Sequence, residues 1–382
     1  MANITKSLKI GLVLDTSLDP PDGVQQYVII VGEWLRSQGH DVHYLVGQTK
    51  ERQLPNIHSL ARNISVRFNG NRTTIPLPTN KKRLKEFLRL QQFDVLHVQI
   101  PHSPFMAQRL ILAASTETAI VGTFHILPFG KLARYGNRAL GIWLKPSLKR
   151  FDQIISVSEA ASKFATQTFK VDSMVIPNAI DYERFNKAAA LNEYKNITIL
   201  FLGRLVRRKG CDALLKAIAL IRTQTDLPTF EVMICGKGPL LPSLKTYANT
   251  NGVGDIVKFV GFVSETDKPR YYASADISVF PSSGGESFGI VLLEAMASGS
   301  AAVLAGNNPG YRSVLGIKPQ LLFDPANAQQ LANKIEEFLR DANIRHDTAR
   351  WGEAYSKEFD INVIGPKLLD VYKRALHKRR EL

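Results

Sequence analysis

Gly284–Gly299 reads GGESFGIVLLEAMASG, with Glu286 and Glu294 eight positions apart across a loop-to-helix junction. The glycine pair ahead of Glu286 lets the backbone turn sharply and approach a ligand closely. Ser287, Phe288, Gly289 and Ile290 open an apolar-rich helix, and a helix start presents free N–H groups to a phosphate. Glu294 falls about one turn inside that helix, beside the phosphate position rather than beyond it. The spacing reads as a polyhydroxylated group at Glu286, a diphosphate at the helix start and another hydroxylated ring at Glu294. That is the outline of a nucleotide sugar. An ordinary helix with one exposed Glu and a flexible lead-in fits the same spacing, so the surrounding chain has to arbitrate.

Upstream, Gly203-Arg204 closes a strand-like run, ITILFL, and Lys209 follows five positions after Arg204. Two cations at the carboxyl end of a strand clamp a diphosphate in the ground state and as it departs with extra charge. A solvated basic turn fits too, since Arg207 and Arg208 share the loop. Short apolar runs at 231–235, 256–260, 276–280, 301–304 and 321–323 each read as strands. Most lead into helical stretches, and Gly236-Lys237-Gly238 makes a tight strand-to-helix turn. The first half of the chain repeats the pattern. Its strands are expected at 9–17, 41–46, 94–99, 119–125 and 153–158. A helix opens at Gly23, carries Val24, Tyr27, Val28, Val31, Trp34 and Leu35 at helical spacing and ends at Gly39. Short strands or a hairpin are expected over 63–78, with Asn69-Gly70 as a turn. No full GxGxxG is present.

Strands alternating with helices imply parallel sheets, here two doubly wound Rossmann-like domains of α/β class. The expected division is 1–176 plus 361–382, the tail returning as a long helix to the first domain, and 177–360. Ligands bind at the strand carboxyl ends of such sheets, so an interdomain cleft is expected. His125 ends the strand AIVGTFH and is placed to bond a sugar hydroxyl or the reacting centre; a packed core histidine fits the same position. His97 and His102 are similar candidates, with His97 in mid-strand and better suited to packing.

The net charge of +15 over 382 residues calls for an anionic partner. Between Pro78 and Arg150 there are 12 Lys/Arg against three acids, Glu86, Asp94 and Glu117. Part of that surplus is the run KKRLKEFLRL, a helix with Leu84, Phe87 and Leu88 on one stripe and Lys81, Lys82, Arg83 and Lys85 around it. The pattern suits binding in the plane of an anionic membrane surface. A surface helix with its stripe on the core has the same pattern. No basic patch interleaved with aromatics is present, so nucleic acid is not expected. No run approaches the ~18 apolar residues of a membrane span, and no signal peptide is expected from MANITKSLK. Cys211 and Cys235 each sit in an apolar run, as buried thiols of a reducing cytoplasm would. No Asp-x-Asp pair or Cys/His cluster calls for a divalent metal.

Together these pieces resemble the family 4 retaining glycosyltransferases of the GT-B fold, and the resemblance covers nearly the whole chain. GGESFGIVLLEAMASG looks like the family's E-x7-E motif, GRLVRRKG like its Arg/Lys phosphate clamp, and ISVSEA and IPNAID like its domain-junction stretches. PDGVQ, FNG, DVLHVQ and TFH are most similar to bacterial phosphatidylinositol mannosyltransferases, which act at the cytoplasmic membrane face and use GDP-mannose. The resemblance implies a nucleotide-sugar-binding second domain. There Arg204 and Lys209 would hold the diphosphate, and Glu286, with the backbone of Ser287, Phe288, Gly289 and Ile290, the donor sugar; Glu294 would hold the ribose. In the acceptor-binding first domain His125 would lie by the transferred sugar, Gly23 would close over the phosphates, and Gln25 and Asn69 would fall near the acceptor. The chain departs from these relatives at two points. Asp22-Gly23 stands where they commonly have two glycines. Thr74 stands where they carry an Arg five residues after the Asn of the turn, which leaves Arg72 as the nearest cation. The expectation is transfer of a hexosyl group, mannose from GDP-mannose foremost, to a lipid-linked acceptor, by a protein peripheral on the inner face of the cell membrane. A UDP-sugar donor with a diacylglycerol or polysaccharide acceptor, a sugar-nucleotide epimerase and a non-catalytic basic membrane- or nucleic-acid-binding protein are the alternatives.

Overall fold

The computed structural model describes residues 7–19, 22–51, 53–68, 71–77, 79–127, 131–191, 193–224 and 226–381. The chain divides into two compact units, 1–179 with 361–382, and 180–360.

The first unit contains β1 (Lys9–Leu14), β2 (Asp41–Val46), β3 (Ile57–Ser59), β4 (Asn63–Phe68), β5 (Asn71–Pro76), β6 (Val95–Gln99), β7 (Ala119–Phe124), β8 (Gln153–Ser156) and β9 (Met174–Val175). Seven of these form one parallel sheet in the order β3-β2-β1-β6-β7-β8-β9, while β4 and β5 pair as an antiparallel hairpin. The central strands read as unbroken apolar runs because helices cover both faces; Ile10, Leu12, Val13, Val95, Leu96, Ile120 and Val121 are all fully buried. The C-terminal helix Ile361–Arg380 belongs to this unit. Its Tyr372 hydroxyl bonds His97 Nδ1 at 2.8 Å, and Arg379 pairs with Asp152 at 2.8 Å. Gly365 lies flat on Trp34, where a Cβ would come within 2.6 Å of the indole. His97, also bonded through Nε2 to Thr123 at 2.7 Å, is thus a packing residue.

The second unit contains β10 (Ile197–Leu202), β11 (Phe230–Cys235), β12 (Val257–Gly261), β13 (Ile277–Phe280), β14 (Ala302–Gly306) and β15 (Leu322–Phe323). They form a parallel sheet in the order β12-β11-β10-β13-β14-β15. Both sheets run outward in one direction from their first strand, then reverse. The reversal lies between β1 and β6 in the first unit and between β10 and β13 in the second. At such a reversal the loops leaving two adjacent strands run to opposite faces, which opens a crevice at the carboxyl ends. Cys211 and Cys235 are buried free thiols, raised well above the ordinary range by that burial.

The helix Lys81–Gln91 forms as expected, with the Asn80 side chain accepting from the Lys82 amide. Its apolar stripe, however, does not face outward. Leu84 and Leu88 are 1% and 9% exposed and Phe87 packs beside them in the core of the first unit. The expectation of an in-plane membrane helix is corrected on that point, because packing on the sheet consumes the stripe. Lys81, Lys82, Arg83 and Lys85 remain exposed on its outer side. Among the described residues no helix is long and apolar enough to cross a membrane.

Candidate active site

The switch point of the second sheet places 203–210, which follows β10, beside 281–289, which follows β13. The two loops touch at backbone distance. Gly210, at φ +72°, leaves no room for a Cβ, which would fall 2.1 Å from the Pro281 carbonyl oxygen. Gly284 and Gly285 take φ +154° and +71°, values open to glycine and strained for other residues. This is why the sequence needs its glycine pair there: the turn carries Glu286 back toward the first loop.

Glu286 is bracketed by three donors. Arg208 Nη1 lies 2.6 Å from Oε1, Lys209 Nζ 2.9 Å, and Ser282 Oγ donates to the same oxygen at 2.9 Å. Burial by itself would raise the Glu286 carboxyl; Lys209 and Arg208, with hydrogen bonds from Lys209 and Ser282, reverse this and hold it at about 2. The loop is braced from behind by Asn308, whose Nδ2 donates to the Ser282 carbonyl at 3.0 Å while its Oδ1 caps Tyr311 at 3.0 Å. Lys209 therefore meets Glu286. Arg204 stands half-buried on the same loop. Arg208, which reads in sequence as part of a solvated turn, is instead an ion-pair partner of Glu286.

Ser287, Phe288 and Gly289 lead into the helix Ile290–Ala297, with Gly289 at φ +123° as its N-cap. The amides of a first turn are left without intrahelical partners and favour an anion. Glu294 lies on this helix and is only 4% exposed. Its oxygens are engaged by Lys268 Nζ at 2.8 Å and the Tyr272 hydroxyl at 3.3 Å. Lys268 also reaches Glu265 at 2.8 Å. Burial raises the Glu294 carboxyl, with Lys268 opposing and Glu265 reinforcing the rise. This cluster escapes sequence reading because Lys268 and Glu294 are 26 positions apart with nothing in either neighbourhood to link them.

The switch point of the first sheet is built differently. His125 follows β7, is 4% exposed, and its Nε2–H donates to Gln99 Oε1 at 2.7 Å. Tyr27 packs edge-on at 4.8 Å. Burial lowers the His125 imidazole to about 3, so it is neutral at ordinary pH. Gln99 was not legible as a partner; it ends β6. Ile100, the next residue, has φ +58°, a strained value for a β-branched side chain. It is held by its amide on the Thr123 carbonyl at 3.0 Å and by the Ser103 amide on its own carbonyl at 2.9 Å. After β1, Asp15 is 4% exposed, accepting from Ser103 Oγ at 2.5 Å and from the Ala107 amide at 2.7 Å. Burial pushes its carboxyl up to about 6 against those hydrogen bonds.

Gly23 begins the helix Gly23–Ser37 on this side of the sheet. Gln25, which the resemblance places near the acceptor, is buried, and its amide nitrogen donates to Thr16 Oγ1 at 3.1 Å and the Ser17 carbonyl at 3.3 Å, bracing the loop after β1. His102 packs against Phe124, Phe164 and Phe169 and is a core residue. Asn69 lies outside the described residues. Arg72 sits on β5 opposite Arg67. Among the described residues no three His, Cys, Asp or Glu side chains converge in a way that could hold a metal ion.

Residues 21–184 match the model described as Glycosyltransferase Family 4, and residues 183–355 the model described as Glycosyl transferases group 1. Over 376 residues the chain is 31% identical to a phosphatidyl-myo-inositol mannosyltransferase of Mycobacterium tuberculosis, covering 96% of this chain and 97% of that one. It is 28% identical over 359 residues to a GDP-mannose-dependent alpha-(1-6)-phosphatidylinositol monomannoside mannosyltransferase of the same species, covering 86% and 89%. In fold it is similar to the glycosyltransferase from Rickettsia africae ESF-5, with a TM-score of 0.74 at 19% identity over 97% of this chain and 99% of that one. Two Rossmann-like parallel sheets with a C-terminal helix returning to the first are the GT-B architecture, and the chain belongs to family 4 of the glycosyltransferases.

Proposed function

We propose that the protein transfers a mannosyl group from GDP-mannose to an inositol phospholipid, with retention at the anomeric carbon, at the inner face of the cell membrane. The observation that carries this reading is the bracket of Arg208, Lys209 and Ser282 on Glu286 at the switch point of the second sheet. Relatives of this chain that are named for transfer to phosphatidylinositol lipids support the acceptor, and one named for GDP-mannose supports the donor.

The bracket supplies both signs of charge that a nucleotide sugar needs. The incoming diphosphate takes over the cations that Glu286 now neutralises, with Arg204, Lys209 and the first-turn amides of the helix Ile290–Ala297 as its ligands. Glu286, ionised throughout the physiological range, turns its oxygens to the hydroxyls of the mannosyl ring. Glu294 meets the ribose once Tyr272 yields its place. The bond between the anomeric carbon and the diphosphate oxygen then breaks, and the acceptor hydroxyl oxygen bonds that carbon on the same face. Its proton passes to the leaving diphosphate oxygen, and the cations stabilise the charge that remains. His125, neutral and fixed by Gln99, serves as a hydrogen-bonding group rather than as an acid.

The test is a panel of GDP- and UDP-sugars, each incubated with and without phosphatidylinositol vesicles, reading nucleotide release and labelled lipid. GDP-mannose with phosphatidylinositol is expected to give an α-linked mannolipid, and the other donors little or none. Turnover confined to UDP-sugars, or equal nucleotide release without lipid, overturns the reading, as does trapping of a covalent glycosyl-enzyme.

A further inference from the structure

The helix Lys81–Gln91 buries its apolar stripe; a second basic segment of the first unit leaves two large apolar side chains exposed. From Thr118 to Phe151 the chain contains no acid and six cations, Lys131, Arg134, Arg138, Lys145, Lys149 and Arg150. The helix Lys131–Trp143 in this segment ends on Ile142 and Trp143, which are 79% and 64% exposed. Side chains of this size and polarity are ordinarily covered. Of the other two tryptophans, Trp34 is buried and Trp351 is stacked on Tyr355.

Next to Ile142 the surface is a groove of about 660 Å³. One wall is the end of this helix and the short helix Lys145–Leu148; the other is a π-helical turn, Ala165–Phe169. The walls meet at Gly141, where a Cβ would stand 3.2 Å from both the Phe169 ring and the Thr168 carbonyl. Leu148 and Phe169, each 6% exposed, contribute apolar lining. Lys145, Lys149 and Lys170 are exposed at the rim, Lys170 being turned there by a left-handed backbone at φ +56°. Among the described residues no carboxylate lines the groove. Single-turn π segments within helices recur at functional positions.

We propose that this face docks the protein on an anionic phospholipid bilayer. Trp143 and Ile142 enter the headgroup layer, where an indole finds both apolar and polar surroundings. Lys145, Lys149 and Lys170 pair with lipid phosphates, and the groove takes one anionic lipid. Charge complementarity selects this occupant. A second copy of a chain carrying +15 meets a like-charged surface, and a bare polyanion leaves Ile142 and the apolar lining in water. The inference rests on the proposed lipid-linked acceptor and names the surface that brings the enzyme to it.

The test uses the full-length protein with vesicles of phosphatidylcholine alone and of phosphatidylcholine with one-fifth phosphatidylinositol, read by tryptophan emission and by co-sedimentation. Wild type is expected to shift its emission to the blue with the anionic vesicles and to bind them at least tenfold more tightly than neutral ones. W143F loses the shift. I142S/W143S and K145E/K149E/K170E each lower vesicle binding about tenfold or more, whereas K81E/K82E/R83E/K85E lowers it about threefold, an effect abolished by high salt. The proposal is overturned if W143F keeps the shift, or if the Lys81–Lys85 set carries the binding. It is equally overturned if inositol phosphate in solution reproduces the vesicle signal, which marks a free-anion site. A concentration-dependent dimer dissolved by W143F, seen by light scattering, overturns it in favour of a second copy. Nucleotide affinity measured on the same samples verifies that each variant is folded. None of these readouts involves sugar transfer, so a wrong donor or acceptor leaves them standing. Conversely, loss of vesicle binding leaves transfer to a short-chain acceptor in solution as an independent measure of the proposed function.

Discussion

The two sheets of this protein share one winding, yet their switch points are built from opposite materials. In the second unit, the loops after β10 and β13 bring Arg208, Lys209 and Glu286 within ion-pair distance, and a carboxyl is held at about 2. In the first unit, Gln99 at the end of β6 and His125 just after β7 are buried and joined by a neutral hydrogen bond, and Asp15 just after β1 is buried on Ser103 and Ala107, with the histidine lowered to about 3 and the aspartic acid raised to about 6. A doubly wound sheet supplies the crevice, but the loop chemistry decides what enters it. On the reading proposed above, the second crevice would exchange its internal ion pair for an anionic ligand, and the first, with no cation paired to its buried groups among the contacts described, would position groups without competing for the diphosphate.

The largest effect expected from this contrast is in the second crevice. Lys209→Ala and Glu286→Ala are each expected to lower kcat/KM about a thousandfold, the cost of removing a group that meets developing charge. Steady-state kinetics with saturating lipid checks this; a loss below tenfold in both removes the charged crevice from the mechanism. Lys268→Met leaves the buried Glu294 without its cation, while the partly exposed Glu265 keeps Arg184 at 3.7 Å, and is expected to destabilise the second unit by about 3–5 kcal/mol. Urea unfolding measures it, and Lys268→Met combined with Glu294→Gln should recover part of the loss because one unpaired charge is gone. An undiminished midpoint in Lys268→Met shows that the cluster is wet.

Effects in the first crevice are expected to be smaller. His125→Ala removes a neutral hydrogen-bonding group and should reduce kcat/KM about tenfold. Because the imidazole is already neutral, the wild-type pH profile should show no limb near pH 6.5 that the variant lacks; such a limb makes His125 a titrating acid and erases the contrast. The smallest effect concerns Asp15. Its folded carboxyl, raised to about 6, contributes stability that is complete below the unfolded value near 3.8 and lost as pH rises through about 6. Asp15→Asn lacks that loss, so its stability relative to wild type should improve by roughly 1 kcal/mol between pH 5 and pH 8. Thermal unfolding across that range reads the sign directly.

Much of this was legible in the sequence, for local reasons. Buried parallel strands are short apolar runs, so both sheets could be traced from them, and the pair Gly284 and Gly285 announces backbone positions that other residues resist. The motif around Glu286 and Glu294 could be read as one unit because its parts are neighbours in the chain. What the sequence could not supply were partners brought together by the winding. Arg208 reads as one more surface cation until the order β10-β13 sets its loop against Ser282 and Glu286. Lys268 and Gln99 carry no signal until the fold seats them on Glu294 and His125. The helix Lys81–Gln91 and the helix Lys131–Trp143 are both basic with apolar members, and composition alone cannot say which side faces water. Only tertiary packing decides that, since burial depends on what lies opposite: Leu84 and Leu88 found the core of the first unit, while Ile142 and Trp143 remain exposed.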